Sequence, residues 1–255
     1  MHIGKALLTA GAIAIGMMTG ALFTAQANAQ DLSIKIATEG AYPPFNGKSA
    51  SGELIGFDVD IAKALCAEMK AKCEIVGQDW DGMIPGLVAK KYDAIIASMS
   101  ITDERKEKVD FTDRYYSNHL RIVAKKGGSI KGPKDLSGKT VGAQRSTVAA
   151  QWSEDNLGRS STVKLYDTQT AAYSDLEAGR LDALVSDVYP AYDWLKDKKD
   201  FEFVGDKIDI NDQIGIAVRK DDPKLKAAFN DALKKIRDNG TYAKLNAQYF
   251  PFDIY

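Results

Sequence analysis

Residues 87–98 read LVAKKYDAIIAS, and residues 176–187 read LEAGRLDALVSD. Leucine, alanine, aspartate and alanine recur at matching places. Each copy reads as the end of a helix, a turn through Lys91-Tyr92-Asp93 or Arg180-Leu181-Asp182, and then a short apolar run. Such runs suit strands buried on both faces, because a strand covered by helices loses the alternation that a half-exposed strand shows. Two copies point to two similar α/β lobes rather than one sheet. The copies end on Ser98 and Asp187, which sets those two residues facing each other across a cleft between lobes.

The neighbouring segments support helices alternating with strands. Phe57-Asp58-Val59-Asp60 opens an amphipathic run to Met69, with Asp58 or Asp60 as its N-cap. Lys139 to Ala143 reads as a strand, and a helix is expected from about Ser146. Leu225 to Asp238 is a periodic helix that Asn239-Gly240 stops. Alternation of this kind means α/β with open sheets. In such sheets ligands bind beyond the C-terminal ends of the strands. That rule selects Glu39, Ser98, the stretch from Gln144 to Thr147, and Asp187.

The amino terminus bounds the compartment. A short basic start, an apolar stretch from Ala6 to Ala25 and the small residues Ala27 and Ala29 around Asn28 predict a cleaved signal peptide over 1–29. No later segment reaches the ~20 apolar residues that a membrane span needs, so the mature chain is expected to be exported and soluble. Charge is nearly balanced, at a formal −1, with no basic stripe, which argues against a nucleic-acid partner. Cys66 and Cys73 are the only cysteines. An oxidising compartment favours a disulfide between them; the alternative is two reduced, buried thiols. Seven residues of continuous helix rise ~10.5 Å, beyond the ~7 Å a bridge tolerates, so a bridge requires the helix to end between them. Closing so short a loop would contribute about 2.5 kcal/mol in the chain-entropy treatment.

The strand ends carry suggestive chemistry. In Ala97-Ser98-Met99-Ser100-Ile101-Thr102-Asp103-Glu104-Arg105, the hydroxyls of Ser98 and Ser100 and the neighbouring Met99 are candidate ligand contacts. Arg105 falls in the first turn of a helix, where acids are preferred. A guanidinium there either faces an external carboxylate in a bidentate pair or pairs on the surface with Asp103 or Glu104. Ser146 and Thr147 begin a helix directly after a strand, where free N–H groups attract an anion, and ordinary capping by either is compatible with that role. Asp187, just before Val188-Tyr189-Pro190, is either a plain N-cap or an acceptor for an ammonium group. Tyr42 and Trp80 are core residues or rings stacked on a ligand. Glu39 ends an apolar strand, where a carboxylate is costly without a positive partner. Together these residues describe a receptor for an α-amino acid with a positive side chain.

At this point the chain resembles a known family, the periplasmic amino-acid-binding proteins of ABC importers (solute-binding protein family 3). The lysine/arginine/ornithine- and histidine-binding members are the most similar in pattern. The carriers are residues 56–62 (GFDVDIA), 79–85 (DWDGMIP), 92–96 (YDAII), 100–105 (SITDER), 179–183 (GRLDA) and 238–242 (DNGTY), in that order along essentially the whole mature chain. The resemblance implies a type II periplasmic binding protein fold: two α/β lobes, each an open sheet flanked by helices, closing on ligand about two crossing strands. Lobe 1 is expected over 30–117 plus 212–255, lobe 2 over 121–208, and hinges near 117–120 and 209–214. It also implies the Cys66–Cys73 bridge, a membrane permease as partner, a monomer, and no cofactor, metal or catalysis. It assigns the ligand carboxylate to Arg105 and the backbone near Thr147, the ammonium to Asp187 and Ser98, and the side chain to Tyr42 and Trp80, with Glu39 at its tip.

Some residues depart from the family pattern. Basic-amino-acid receptors often carry aspartate at the place of Glu39, whereas some opine receptors carry glutamate in the same Thr-Glu-Gly setting. Arg145 stands where relatives tend to have glycine, and Val148 replaces a polar residue. If Arg145 points into the cleft, it neutralises Glu39 or holds a second carboxylate, as an opine would require. The long insertion before Lys139 associated with some opine receptors is absent. A cleft dehydratase, with Glu39 as a general acid raised by burial, is the enzymatic alternative. Other motifs fall away. GPKDLSGKT at 132–140 is one residue too long for a phosphate loop and precedes a strand, Asp58-Val59-Asp60 lacks the calcium-loop pattern, and His119 is the only histidine after the leader.

Overall fold

A computed structural model describes residues 32–255, together with Met1. Apart from Met1, the leader expected over 1–29 lies outside the described residues. Among the described residues no helix is long and apolar enough to cross a membrane.

In chain order, the first half of the fold holds β1 (Ser33–Thr38), β2 (Gly47–Lys48), β3 (Leu54–Ile55), α1 (Phe57–Glu68), β4 (Lys72–Gly77), a short turn of 3-10 helix (Trp80–Gly82), α2 (Met83–Val88), β5 (Ala94–Ile95) and α3 (Asp103–Lys108). The long β6 (Asp110–Lys125) then leads to a 3-10 turn (Pro133–Leu136), β7 (Thr140–Gln144), α4 (Val148–Leu157), β8 (Thr162–Tyr166), α5 (Gln169–Glu177), β9 (Ala183–Asp187) and α6 (Val188–Leu195). The long β10 (Phe201–Val218) leads back to α7 (Pro223–Asp238) and α8 (Thr241–Tyr249).

The strands lie in the order β4-β1-β5-β10-β6-β9-β7-β8. Two parallel trios, β4-β1-β5 and β9-β7-β8, flank an antiparallel centre of β10 and β6. The repeat predicts two sheets; the ladder is instead continuous, because β6 with sixteen residues and β10 with eighteen run the full width of both halves. The apolar cores still fall into separate sets. Two clusters draw their buried members from residues 34–116 and 214–254. Two others draw theirs from residues 120–204.

The repeat folds as the sequence reads. In both copies the helix closes on a left-handed residue, Lys90 (φ 59°) and Gly179 (φ 71°). The next amide reaches back to a carbonyl in the last turn, Lys91 N–H to Gly86 (3.0 Å) and Arg180 N–H to Asp175 (2.9 Å). The shared aspartate then accepts from the first residues of the neighbouring strand. Asp93 takes the Lys35 N–H at 2.9 Å, and Asp182 takes the Thr140 N–H at 2.8 Å. The disulfide joins Cys66 and Cys73, with Cα atoms 6.2 Å apart. Between them α1 ends at Glu68, as a bridge requires.

Two helix starts differ from expectation. Neither Asp58 nor Asp60 caps α1; Gly56 does, without a side-chain bond. The first-turn amides are satisfied by main chain instead, Phe57 N–H on Pro44 and Asp58 N–H on Phe45. Gly56 is needed there: its φ is 121°, and a Cβ would sit 2.4 Å from the Phe45 carbonyl. Helix α4 begins at Val148, not Ser146, because Thr147 is the cap and Ser146 is left-handed at φ 58°.

Candidate functional site

Four strands deliver the site. β1 runs out into Glu39, β5 into Ser98, β7 into Gln144 and β9 into Asp187. Their ends line one cleft, to which Tyr42, Trp80, Ser100, Arg105 and Thr147 also contribute. Ala97, Gln144 and Val148 complete the lining. A wider, open concavity lies on the outer surface around Lys125, Lys139, Asp182 and Lys198, where Lys198 already pairs with Glu177 at 2.6 Å.

Two acids dominate the electrostatics of the cleft. Glu39 is 8% exposed, and its one hydrogen-bond donor among the described residues is the neutral Gln144 amide at 2.8 Å. Burial pushes its carboxyl up to about 7, against the Gln144 bond and with help from the charges of Asp79 and Asp81. Asp187 is equally withdrawn and accepts from the Tyr42 hydroxyl at 2.5 Å. Burial, reinforced by the charge of Asp212, raises it as well. Asp212 lies on β10 directly opposite Asn118 of β6, whose amide donates to it at 2.7 Å. Among the described residues, no ion pair includes Glu39, Asp187 or Arg105.

Arg105 is held rather than paired. Its Nη1 donates to the Ser100 carbonyl (2.8 Å) and its Nη2 to the Ser146 carbonyl (2.9 Å). The guanidinium lies 5.3 Å from the Trp80 ring centroid, and Trp80 Nε1 donates to the same Ser146 carbonyl at 3.2 Å. The surface pair with Asp103 or Glu104 does not form; Asp103 takes Lys106 instead. Burial pulls the guanidinium down from its usual value, while Asp212 and Asp187 oppose the shift. A guanidinium carries five N–H donors, so donors remain for an external carboxylate. The α4 start lies on the same side: Thr147 donates its hydroxyl to the Gln144 carbonyl and accepts from the Ala150 N–H.

Not every expected residue reaches the cleft with its side chain. Met99 is 2% exposed and packs in the apolar core with Met83 and Phe111. Ser146 serves through its carbonyl alone among the contacts of Arg105 and Trp80. Ser98 lines the cleft, but its hydroxyl is donated to Asp58 at 2.9 Å. Arg145 turns away and pairs with Asp167 at 2.9 Å, so it neither neutralises Glu39 nor offers a second carboxylate site. The reason is local: its amide is fixed to the Tyr166 carbonyl, at the end of the strand beside Asp167. Sequence reasoning selected Gln144 only as a strand end, with no contact assigned to it, and read the buried Asp58 only as a candidate N-cap. The signal for Asp58 was present, since it shares a helical face with Ile61, Ala62 and Leu65, and an acid on that apolar stripe has to be doing something other than facing water.

Comparison with known proteins agrees with this architecture. The chain is 43% identical to the L-arginine-binding protein of Pseudomonas aeruginosa over 98% of both chains. It is also 43% identical to the lysine/arginine/ornithine-binding periplasmic protein of Escherichia coli, over 88% of this chain and 89% of that one. An ancestral arginine-binding protein solved bound to arginine superposes with a TM-score of 0.81 at 38% identity, over 86% of this chain and 98% of the other. The model of the bacterial extracellular solute-binding proteins, family 3, matches residues 34–252, and the chain belongs to that family.

Proposed function

We propose that this protein is the periplasmic receptor of an ABC amino-acid importer and that its ligand is a basic L-amino acid: arginine, lysine, ornithine or histidine. The observation that carries the reading is a cleft with two buried acids that, among the described residues, form an ion pair with no protein cation. Buried carboxylates without a positive partner are costly, and a ligand with two positive groups meets both. Arg105 and the α4 start take the ligand's carboxylate. Asp187 takes the ammonium together with Ser98, whose oxygen keeps lone pairs free after donating to Asp58. Tyr42 and Trp80 flank the side chain, and Glu39 meets its charged end. The names of the relatives, which specify arginine, lysine and ornithine, support the same class. Arg145 pairs with Asp167 and is absent from the cleft lining, which removes one of the two features that favoured an opine, the other being Glu39 itself.

Lobe 1 comprises 30–117 with 212–255 and lobe 2 comprises 121–208, closing about hinges near 117–120 and 209–214. The separate apolar cores support this division. So do the register breaks of the β6–β10 ladder around Ile208 and Asp212 and the left-handed Asn211. The ligand docks on the lobe carrying Glu39, Trp80 and Arg105. Closure adds Thr147 and Asp187, and the closed form is what the permease recognises. The leader over 1–29 directs export and is removed. The protein binds its ligand without turnover, so prephenate and arogenate leave an assay unchanged. A thermal-shift panel of L-amino acids and opines tests the assignment: a ligand at ~100 times its Kd should add ~2.7 kcal/mol of stability. Basic amino acids are expected to raise the Tm; a panel in which only acidic or apolar amino acids do so would overturn it.

A further inference from the structure

Asp58 is fully buried and outside the cleft, and among the described residues no ion pair includes it. Its carboxylate accepts three neutral hydrogen bonds. Tyr115 donates its hydroxyl to Oδ1 at 2.7 Å, while the Ser98 hydroxyl and the Asn46 amide donate to Oδ2 at 2.9 and 2.8 Å. Each donor also leads to a loop of the cleft. Asn46 turns its Oδ1 to the Gly40 N–H (2.8 Å), next to Glu39, and its main chain pairs with Tyr42. The Tyr115 oxygen accepts the Ser98 N–H at 3.0 Å. Ser98 itself is left-handed, at φ 54°, a conformation costing a non-glycine residue on the order of 1–3 kcal/mol and kept only where surroundings enforce it.

Resting on the binding role argued above, we propose that Asp58 is a positioning residue of the ligand site, which holds the loop after β1 and the loop after β5 in one geometry. A buried carboxylate is a poor source of stability, since a packed apolar residue of similar volume is often neutral or better. What it offers here is acceptor capacity: three donors converge on two oxygens, and a carboxylate provides only lone pairs toward them. An asparagine at this position would turn an NH₂ group toward at least one of those donors. The Glu39–Tyr42 loop and the Ser98–Arg105 loop would then lose their common anchor, although neither contains Asp58.

Asp60, two residues further along the same helix, is the natural control. It also accepts a tyrosine hydroxyl, from Tyr249 at 2.6 Å, but it touches neither loop. The test compares Asp58→Asn with Asp60→Asn in two readouts, the Kd for L-arginine by calorimetry and amide hydrogen exchange at Gly40 and Ser98 without ligand. Losing a buried hydrogen bond to a charged group corresponds to about a 10-fold or greater rise in Kd for Asp58→Asn, with faster exchange at Gly40 or Ser98. Asp60→Asn is expected to leave Kd and both amides unchanged even if it lowers the Tm. Equal Kd and unchanged exchange in Asp58→Asn would overturn the proposal, as would both variants losing Tm alike with Kd intact. Should Asp58→Asn fail to fold, Tyr115→Phe removes one of the two links between Asp58 and Ser98, leaves the Asn46 link intact, and must speed exchange at Ser98 but not at Gly40. If the wild-type protein binds no basic amino acid, the binding assignment falls, and the exchange measurements still decide whether Asp58 orders the two loops.

Discussion

The two copies of the repeat, 87–98 and 176–187, share a scaffold and differ in chemistry. Both close a helix on a left-handed residue, both spend an aspartate on the entry of the next strand, and both bury the strand that follows. They part at their last residue. Ser98 is held by a buried acid behind it, whereas Asp187 is itself the buried acid in the cleft. The positions that set the fold are therefore the shared ones, and the cleft acquires its polarity where the copies diverge. A duplicated scaffold thus presents a hydroxyl from one half and a charge from the other, as a single ammonium group between them would require.

Making the second copy end like the first should have the largest effect. Asp187→Ser removes the charge that the proposed binding mode sets against the ammonium, and truncating one member of a desolvated pair costs about 2–5 kcal/mol of affinity. Calorimetry should show that loss for every α-amino acid that binds, with the unliganded protein still folded. A loss confined to one side chain would place the ammonium elsewhere.

Glu39 lies outside the repeat, and it sharpens the comparison because the proposed binding mode gives its charge to the ligand side chain alone. Glu39→Gln should cost a cationic ligand about 2–4 kcal/mol. Its carboxyl sits at about 7 against an ordinary 4.5, so the folded chain holds this proton more tightly than the unfolded chain. For this group, stability without ligand is greatest at low pH and declines as pH rises from 4.5 to about 7. A cationic ligand selects the ionised form, so arginine should bind more tightly as pH rises through that window and should release protons on binding within it. Asp187 moves in the same sense, and Glu39→Gln isolates the share of Glu39. Proton counts from calorimetry in buffers of different ionisation enthalpy should fall in the variant; an unchanged count would assign the release elsewhere.

The smallest effects belong to the shared positions. Asp93→Asn and Asp182→Asn each weaken one strand-entry hydrogen bond, worth about 1 kcal/mol of stability, and should leave ligand affinity alone. Asp93 also pairs with Arg219 at 3.2 Å, so its substitution should be the costlier of the two in denaturant melts. A change in Kd from either would mean that scaffold and cleft are not separable.

Much of this was legible in the sequence because it is local. The helix end, turn and strand of each copy lie within twelve residues, the strand-end rule led directly to Glu39, Ser98 and Asp187, and Arg105 stood out as a cation in the first turn of a helix. What was not legible depends on distant partners. The bonds to Asp58 come from residues 12, 40 and 57 positions away, and its cap role went to Gly56 because the chain at Pro44 and Phe45 supplies the acceptors. The direction of Arg145 follows from Asp167 on a loop beyond β8. The continuous ladder follows from β6 and β10 pairing over their full lengths, which no pattern within either strand records.

The central claim is that the cleft's two unpaired acids are matched by two positive groups of one ligand. Binding of L-arginine and of L-citrulline, its neutral isostere, tests that most directly, since the two differ in the charge facing Glu39 and little else. The account predicts arginine tighter by at least about 30-fold, the lower end of what a desolvated charge partner contributes. Equal affinity for the two would contradict it.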